Sequence, residues 1–431
     1  MKKTLWWLTL AVAGMAFAGA PDASNLTALE PAQPQVQAAA LTANLLTRFH
    51  FTPMPLDDAM SQKIFDRYLK VLDADKLFFI QADIDRFSDA RDKLDDAIKG
   101  RDLSTPFAMF NLYQRRMQER LVYARSLLGQ PFDFSKQEGY PYQRQHESWA
   151  KSDSELQDLW RRRVKNDWLR LKLTGKDDKA IRAMLEKRYD YALANLKKLK
   201  SENVFQLFMN AYAMSIEPHT NYLGPKATED FDISMKLSLV GIGAVLQERE
   251  EMTVIRELVP GGPAAQSGKL KVGDRIVGIG QADDSVPTDV LGWRLDDVVR
   301  IIRGAENTVV KLDVLPADAS ADGPRQVVAL VRKKVSLEQQ AAKKSIIEIK
   351  DGERTQRVGV IALPTFYLDF EAKRKGDKSF RSATRDVARL LAELKRERVD
   401  SVLIDLRDNG GGALDEAVEL SSQFIGNGPV V

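Results

Sequence analysis

The stretch Val402-Leu403-Ile404-Asp405-Leu406-Arg407-Asp408-Asn409-Gly410-Gly411-Gly412 places the tightest constraint on what this chain can become. Val402, Leu403, Ile404 and Leu406 are a run of branched apolar residues, which suits a buried strand of a parallel sheet. Three consecutive glycines then free the backbone to turn sharply. Beyond them Ala413, Val418, Leu420 and Phe424 recur at roughly helical spacing, so the glycines mark a strand-to-helix junction. The first amides of a helix lack intrahelical acceptors, and at such a junction they converge where an anion can be held. Two chemistries use this geometry. One is a phosphate cradle, and the other is an oxyanion hole, whose amides stabilise charge that develops only in the transition state of acyl transfer. A tight turn with no chemistry is the third reading. The cradle lacks its usual company, since no Gly-Lys-Ser/Thr follows and the Gly-x-Gly-x-x-Gly spacing is absent.

Cysteine is missing from all 431 residues, which removes disulfides, thiol catalysis and cysteine-based zinc sites together. The three histidines, His50, His146 and His219, are too far apart in sequence for a metal-ligand motif, so no metal site and no cofactor is expected. A Ser/His/Asp triad is disfavoured by the same scarcity. Lys plus Arg number 64 against 61 acidic residues, and this balance argues against a nucleic-acid partner. The first residues have the layout of an export signal: Lys2 and Lys3, an apolar stretch over 5–17, and small residues Ala16 and Ala18 for cleavage after Ala18. No later segment reaches about eighteen apolar residues, so no integral membrane segment is expected once 1–18 is removed.

Residues 19–40, rich in Ala, Gln and Pro, read as a flexible leader. Residues 41–224 read as a helical domain. Within it Thr105 is the expected cap of a helix whose Phe110, Tyr113, Met117, Leu121, Ala124 and Leu128 step by three and four until Gly129. Leu156, Trp160, Val164, Trp168 and Leu171 repeat the pattern as a core stripe. Past the loop Glu217-Pro218-His219-Thr220-Asn221-Tyr222-Leu223-Gly224-Pro225 the pattern changes to short strands with glycine turns. Strands are expected over 242–247, 253–258, 275–279, 309–314 and 326–331, with short helices over 263–268 and 295–303. Residues 337–344 read as a helical connector. Strands over 345–350 and 357–363, a helix carrying Val387, Leu390, Leu391 and Leu394, and the strand before the glycines predict an α/β core.

Several of these stretches resemble the carboxy-terminal processing peptidases, also called tail-specific proteases. The glycine run resembles that family's Asp-Leu-Arg-Asn-Asn-Gly-Gly-Gly segment, with Asp408 in place of the first Asn. Glu217 to Pro225 resembles the segment before its PDZ module, and Leu363-Pro364-Thr365-Phe366 resembles its first core strand and exit. Val259-Pro260-Gly261-Gly262-Pro263-Ala264-Ala265 and Leu270-Lys271-Val272-Gly273-Asp274-Arg275-Ile276 resemble a bacterial PDZ domain. The resemblance implies a multidomain α+β protein: the helical domain, a PDZ domain over 225–335, and an incomplete α/β serine-protease core over 336–431. It implies a periplasmic serine endopeptidase that recognises substrate proteins by apolar carboxy termini, with an envelope adaptor as a second partner. A PDZ domain takes a peptide as an added strand and meets its carboxylate with backbone amides. The matching loop is Val240, Gly241, Ile242, Gly243 and Ala244, with Val298, Val299 and Ile302 as pocket walls or, alternatively, as core. Gly410, Gly411 and Gly412 would supply the oxyanion hole. No catalytic residue is assigned in this chain: the family's Ser and Lys are expected beyond Val431, and Ser421 and Ser422 read as packing or surface residues. A non-catalytic PDZ protein of the envelope is the alternative.

Overall fold

The computed structural model describes residues 26–429 except 250, 251, 285, 286, 321, 322, 338, 339 and 427. The export signal and its cleavage point lie outside the described residues. The chain forms two units, Met1–Gly224 and Pro225–Val431.

The first unit is helical: α1 (Gln33–Phe49), α2 (Asp58–Leu72), α3 (Gln81–Asp85), α4 (Leu94–Lys99), α5 (Ser104–Ser126), α6 (Asp153–Leu173), α7 (Asp178–Lys197) and α8 (Ser201–Ile216). One core gathers Ile64, Tyr68, Phe107, Phe110, Phe205 and Phe208; a second gathers the expected Trp160, Val164 and Trp168 with Ile181 and Leu185. Aromatic and branched side chains at helical spacing make these stripes legible, because each buries a large apolar area on one face. Two expectations are corrected here. The leader is helical from Gln33, since Val36 and Ala39 are buried and the Gln35 side chain accepts from the Ala32 amide and donates to Glu202. The helix expected to be capped at Thr105 starts at Ser104, whose amide is held by the Asp102 carboxylate at 2.9 Å.

The second unit opens with α9 (Pro225–Lys236) and β1 (Ser238–Gly241). Then come β2 (Ala244–Arg249), β3 (Met252–Leu258), α10 (Pro263–Ser267), β4 (Arg275–Gln281), β5 (Thr288–Asp289), α11 (Leu295–Ile302), β6 (Val309–Leu315), β7 (Gln326–Val331) and β8 (Lys333–Ser336). The main sheet runs β2-β3-β4-β6-β7, with β5 paired to β4, so β2 is an edge strand. Its core holds Ile242, Ile255, Ile276, Val298, Ile302 and Leu312. β1 and β8 pair antiparallel from Ser238↔Ser336 to Gly241↔Lys333, which brings the entry and exit of this domain side by side.

The last part contains β9 (Lys343–Asp351), β10 (Arg354–Ala362), α12 (Phe370–Arg374), α13 (Ala383–Arg396), β11 (Ser401–Asp405) and α14 (Leu414–Ser421). The connector expected to be helical over 337–344 gives way to a strand at its end: β9 begins at Lys343, and Ala341 and Ala342 are buried, with the Ala342 amide donating to the Tyr367 hydroxyl. β9 and β10 form a hairpin turned at Gly352, which has φ +64°. β10 and β11 pair parallel from Val358↔Ser401 to Ala362↔Asp405, and α13 makes the crossover. Val387, Leu390 and Leu394 of α13 pack on Ile361; a Cβ at Gly359 would lie 2.8 Å from Leu394 Cδ1, so the helix sits where only glycine leaves room. The result is the expected α/β arrangement, with β11 at the edge of its three strands.

Candidate functional site

At the end of β11 the Asp405 carboxylate accepts from Arg407 Nε at 2.9 Å and Nη2 at 2.6 Å. These bonds hold its carboxyl down to about 2. The chain then turns through Asp408, at φ +62°, a conformation that short polar side chains tolerate better than most. The three glycines follow against the loop that leaves β10. The Gly410 amide donates to the Pro364 carbonyl at 3.3 Å, and the Gly411 amide to Asn409 Oδ1 at 2.7 Å. Asn409 is itself fixed by donating from Nδ2 to the Leu363 carbonyl at 2.8 Å. The Gly411 carbonyl accepts from both the Phe366 amide and the Thr365 hydroxyl, each at 2.8 Å. Ala413 closes the clasp by donating to the Phe366 carbonyl, also at 2.8 Å.

This clasp separates the three amides. Gly410 and Gly411 already have protein acceptors, whereas the Gly412 N–H, on the side turned away from Phe366, has no acceptor among the described residues. Gly412 sits at φ +142°, and a Cβ there would fall 2.4 Å from the Phe366 carbonyl oxygen, so the position excludes every side chain. Of the three glycine amides, two are therefore already engaged within the protein.

α14 is locked behind the turn. Glu416, fully buried, accepts from the Ser382 hydroxyl at 2.8 and 2.9 Å and from the Thr384 amide at 2.7 Å. Ser382 caps α13, so the carboxylate rests on the positive end of that helix. Ala413 packs with Leu368 and with Met235 of α9. Neither nearby serine is presented for chemistry. Ser421 Oγ donates to the Ala417 carbonyl at 2.7 Å and Ser422 Oγ to the Glu419 carbonyl at 2.6 Å, both within their own helix.

The second group of expected residues surrounds the open edge of β2. Val240 and Gly241 belong to β1 and pair with Lys334 and Lys333, so the loop itself is only Ile242 and Gly243, and Ala244 starts β2. The Ile242 carbonyl accepts from Ala264 N at 2.8 Å and the Gly243 carbonyl from Val259 N at 2.9 Å, while the amides of both have no acceptor among the described residues. Gly243, at φ +71°, lies against Gly262, where a Cβ would approach the Gly262 Cα to 2.9 Å. Two glycines back to back explain why this turn is so tight. Val298, Ile302 and Ile242 are core residues; of the expected walls Val299 alone is half-buried, alongside Leu295.

One residue that organises this groove escaped the sequence. Arg332 is buried, and donates from Nε to the Ile302 carbonyl at 2.7 Å and from Nη2 to the Ile301 carbonyl at 3.0 Å. Its other donors reach Thr308, Val309 and Gln281, and burial pulls its pKa down. The guanidinium therefore fixes the C-terminal turn of α11, the helix beside β2. Nothing in the local run Val331-Arg332-Lys333 signals this.

Comparison with known proteins gives three matches in chain order. Residues 42–226 match the tail specific protease N-terminal domain, 231–315 the PDZ domain, and 357–431 peptidase family S41. A tail-specific protease of Haemophilus influenzae is 40% identical over 387 residues, 90% of this chain and 53% of that protein. A probable CtpA-like serine protease of Staphylococcus aureus is 27% identical over 54% of this chain and 40% of its own length. The chain thus spans about half the length of the Haemophilus relative or less than half that of the staphylococcal one. Among solved structures, the PDZ domain of a carboxy-terminal protease from Vibrio cholerae in complex with peptide is 53% identical, with 23% of this chain and 100% of that chain covered and a TM-score of 0.22. A photosystem II D1 C-terminal processing protease is 20% identical over 52% of this chain and 54% of its own, with a TM-score of 0.25.

Proposed function

We propose, from the premise that this chain is built of the N-terminal, PDZ and S41 peptidase parts of the tail-specific proteases, that it serves a serine-type endopeptidase of the bacterial periplasm that takes proteins by their apolar carboxy termini. The observation that carries the catalytic half is the Gly412 amide at a strand-to-helix junction, without an acceptor among the described residues. An N–H held rigidly by the Phe366 clasp needs no reorganisation when charge appears on a carbonyl oxygen, and loss of one such donor costs about 10²–10³ in rate. In this reading the substrate end adds as a strand to the open edge of β2, its carboxylate meets the amides of Ile242 and Gly243, and its last side chain lies against Val299 and Leu295. The nucleophile is a serine whose proton passes to a neutral lysine, and both residues belong to the part of the family's length that this chain does not span. Export with cleavage after Ala18 puts the protein where such substrates are met, and an envelope adaptor is the second proposed partner.

A second reading is favoured by the placement of Ser421 and Ser422, whose hydroxyls are bonded within their own helix. In that reading the chain captures carboxy termini without cutting them. Both readings share the binding step, so that step is tested first. Titration calorimetry of residues 19–431 with a peptide ending in small apolar residues is expected to give micromolar binding for the free acid, worth about 8 kcal/mol, and none for the terminal amide. Equal affinity for acid and amide removes the assignment of Ile242 and Gly243.

A further inference from the structure

α9, β1 and the end of α11 border an open pocket of about 330 Å³ whose lining includes Glu229, Lys236, Val240, Arg300, Arg303 and Gly304. Three cations and one carboxylate face this space. Val240 leads through Gly241 into Ile242 and Gly243, whose amides have no acceptor among the described residues, so the pocket adjoins the point where a peptide would end. The cation nearest a fixed frame is Arg303. Its amide donates to the Val299 carbonyl at 2.9 Å, the two preceding carbonyls are clamped by Arg332, and Gly304 lies so close to Arg332 that a Cβ would meet Nε at 2.9 Å. Backbone held on both sides leaves only the side chain of Arg303 to move.

That side chain is occupied. Arg303 Nη1 stands 2.9 Å from Glu229 Oε1 and 3.5 Å from Asp230 Oδ1, both on α9. Lys226, one turn earlier on α9, reaches Asp296 at the start of α11 at 3.2 Å. Arg303 thus already faces a carboxylate, in a partly desolvated site beside the mouth of the groove.

We infer that Arg303 is a second recognition element for the substrate carboxylate, and that Glu229 and Asp230 hold its place until a peptide terminus displaces them. The inference rests on the reading that the β2 edge binds carboxy termini. Its chemistry is exchange of one ion pair for another. The amides of Ile242 and Gly243 donate to the terminal carboxylate, and a guanidinium beside them strengthens the preference for a charged carboxylate over an amide or ester, which bidentate geometry sharpens. The incoming carboxylate must beat Glu229, so the α9 pair sets a threshold that weak or uncharged termini do not cross.

The test is titration calorimetry of residues 19–431, wild type and variants, with one synthetic peptide ending in Ala-Ala as free acid and as amide, at two salt concentrations. Arg303→Met is expected to weaken the acid about tenfold, to leave the amide unchanged, and to flatten the salt dependence, while Arg303→Lys recovers part of the loss. Glu229→Gln with Asp230→Asn is expected to tighten the acid about two- to fivefold by removing the competitor. The double variant keeps Arg303 intact and so remains informative if Arg303→Met is poorly folded. Wild-type discrimination of acid from amide that persists unchanged in both Arg303→Met and the double variant overturns this inference and leaves the β2 assignment standing. Wild-type protein that binds neither form, or both alike, overturns the β2 assignment and this inference with it.

Discussion

Glu416, without solvent exposure, holds the backbone amide of Thr384 at 2.7 Å and so ties the first turn of α14 to the first turn of α13. The same carboxylate takes the Ser382 hydroxyl, which leaves it satisfied by hydrogen bonds and by the helix dipole rather than by a cation. Glu416→Ala is expected to strand a half-buried amide and a buried hydroxyl at a cost of about 3 kcal/mol, and Glu416→Gln, which keeps an acceptor, about 1 kcal/mol. Hydrogen exchange at Thr384 and Arg385 reads the difference; equal protection in wild type and Glu416→Ala would refute the assignment.

Gly412→Ala is expected to open the clasp, because the new Cβ must move about an ångström away from the Phe366 carbonyl and leave a φ that alanine avoids. The cost is about 2–4 kcal/mol, taken locally. Faster exchange of the Phe366 and Ala413 amides, with the β3 and β4 amides unchanged, is the expected pattern.

Arg332→Met is expected to cost about 3 kcal/mol in the stability of the PDZ domain. It leaves the carbonyls of Ile301 and Ile302 without their donor and removes a cation from the negative end of α11. Urea unfolding followed by exchange in β6 and β7 checks this, and loss of protection confined to exposed loops would count against it.

The Asp405 carboxyl, held down to about 2 by Arg407, titrates near 4 in an unfolded chain. A depressed folded pKa means that the unfolded state takes up the proton first. The stabilisation is therefore fully present above pH about 4 and is lost as pH falls toward 2. Carbon NMR of the Asp405 carboxyl in wild type is expected to give a midpoint near 2, rising toward 4 in Arg407→Gln. An identical midpoint in both would show that the pair does not set it.

The helical stripes and the βαβ crossover were legible because large apolar side chains repeat at one period: Trp160, Val164 and Trp168 in α6, Val387, Leu390 and Leu394 in α13. Residues 33–40 were not, since α1 buries Val36 and Ala39 among Gln and Ala, and small residues leave little amphipathic signal. Residues 337–344 misled in the opposite way. Their Leu, Glu, Gln, Ala and Lys favour helix intrinsically, but burial of Ala341 and Ala342 and pairing of β9 with β10 decide the outcome. The glycine turn was visible as a motif, yet which amide is left unpaired depends on Pro364 and Asn409, a tertiary fact. The Arg303 to Glu229 pair joins residues 74 apart and carries no local signal at all.

The central proposal is that Gly412 supplies an oxyanion donor to a peptidase site whose nucleophile is neither Ser421 nor Ser422. Its most direct test is cleavage of an unstructured reporter protein with an apolar carboxy terminus by purified residues 19–431, followed by mass spectrometry. The proposal predicts binding without turnover, because loss of a nucleophile lowers the rate of such a site by many orders of magnitude. Turnover that disappears in Ser421→Ala or Ser422→Ala would contradict it and place the nucleophile on α14.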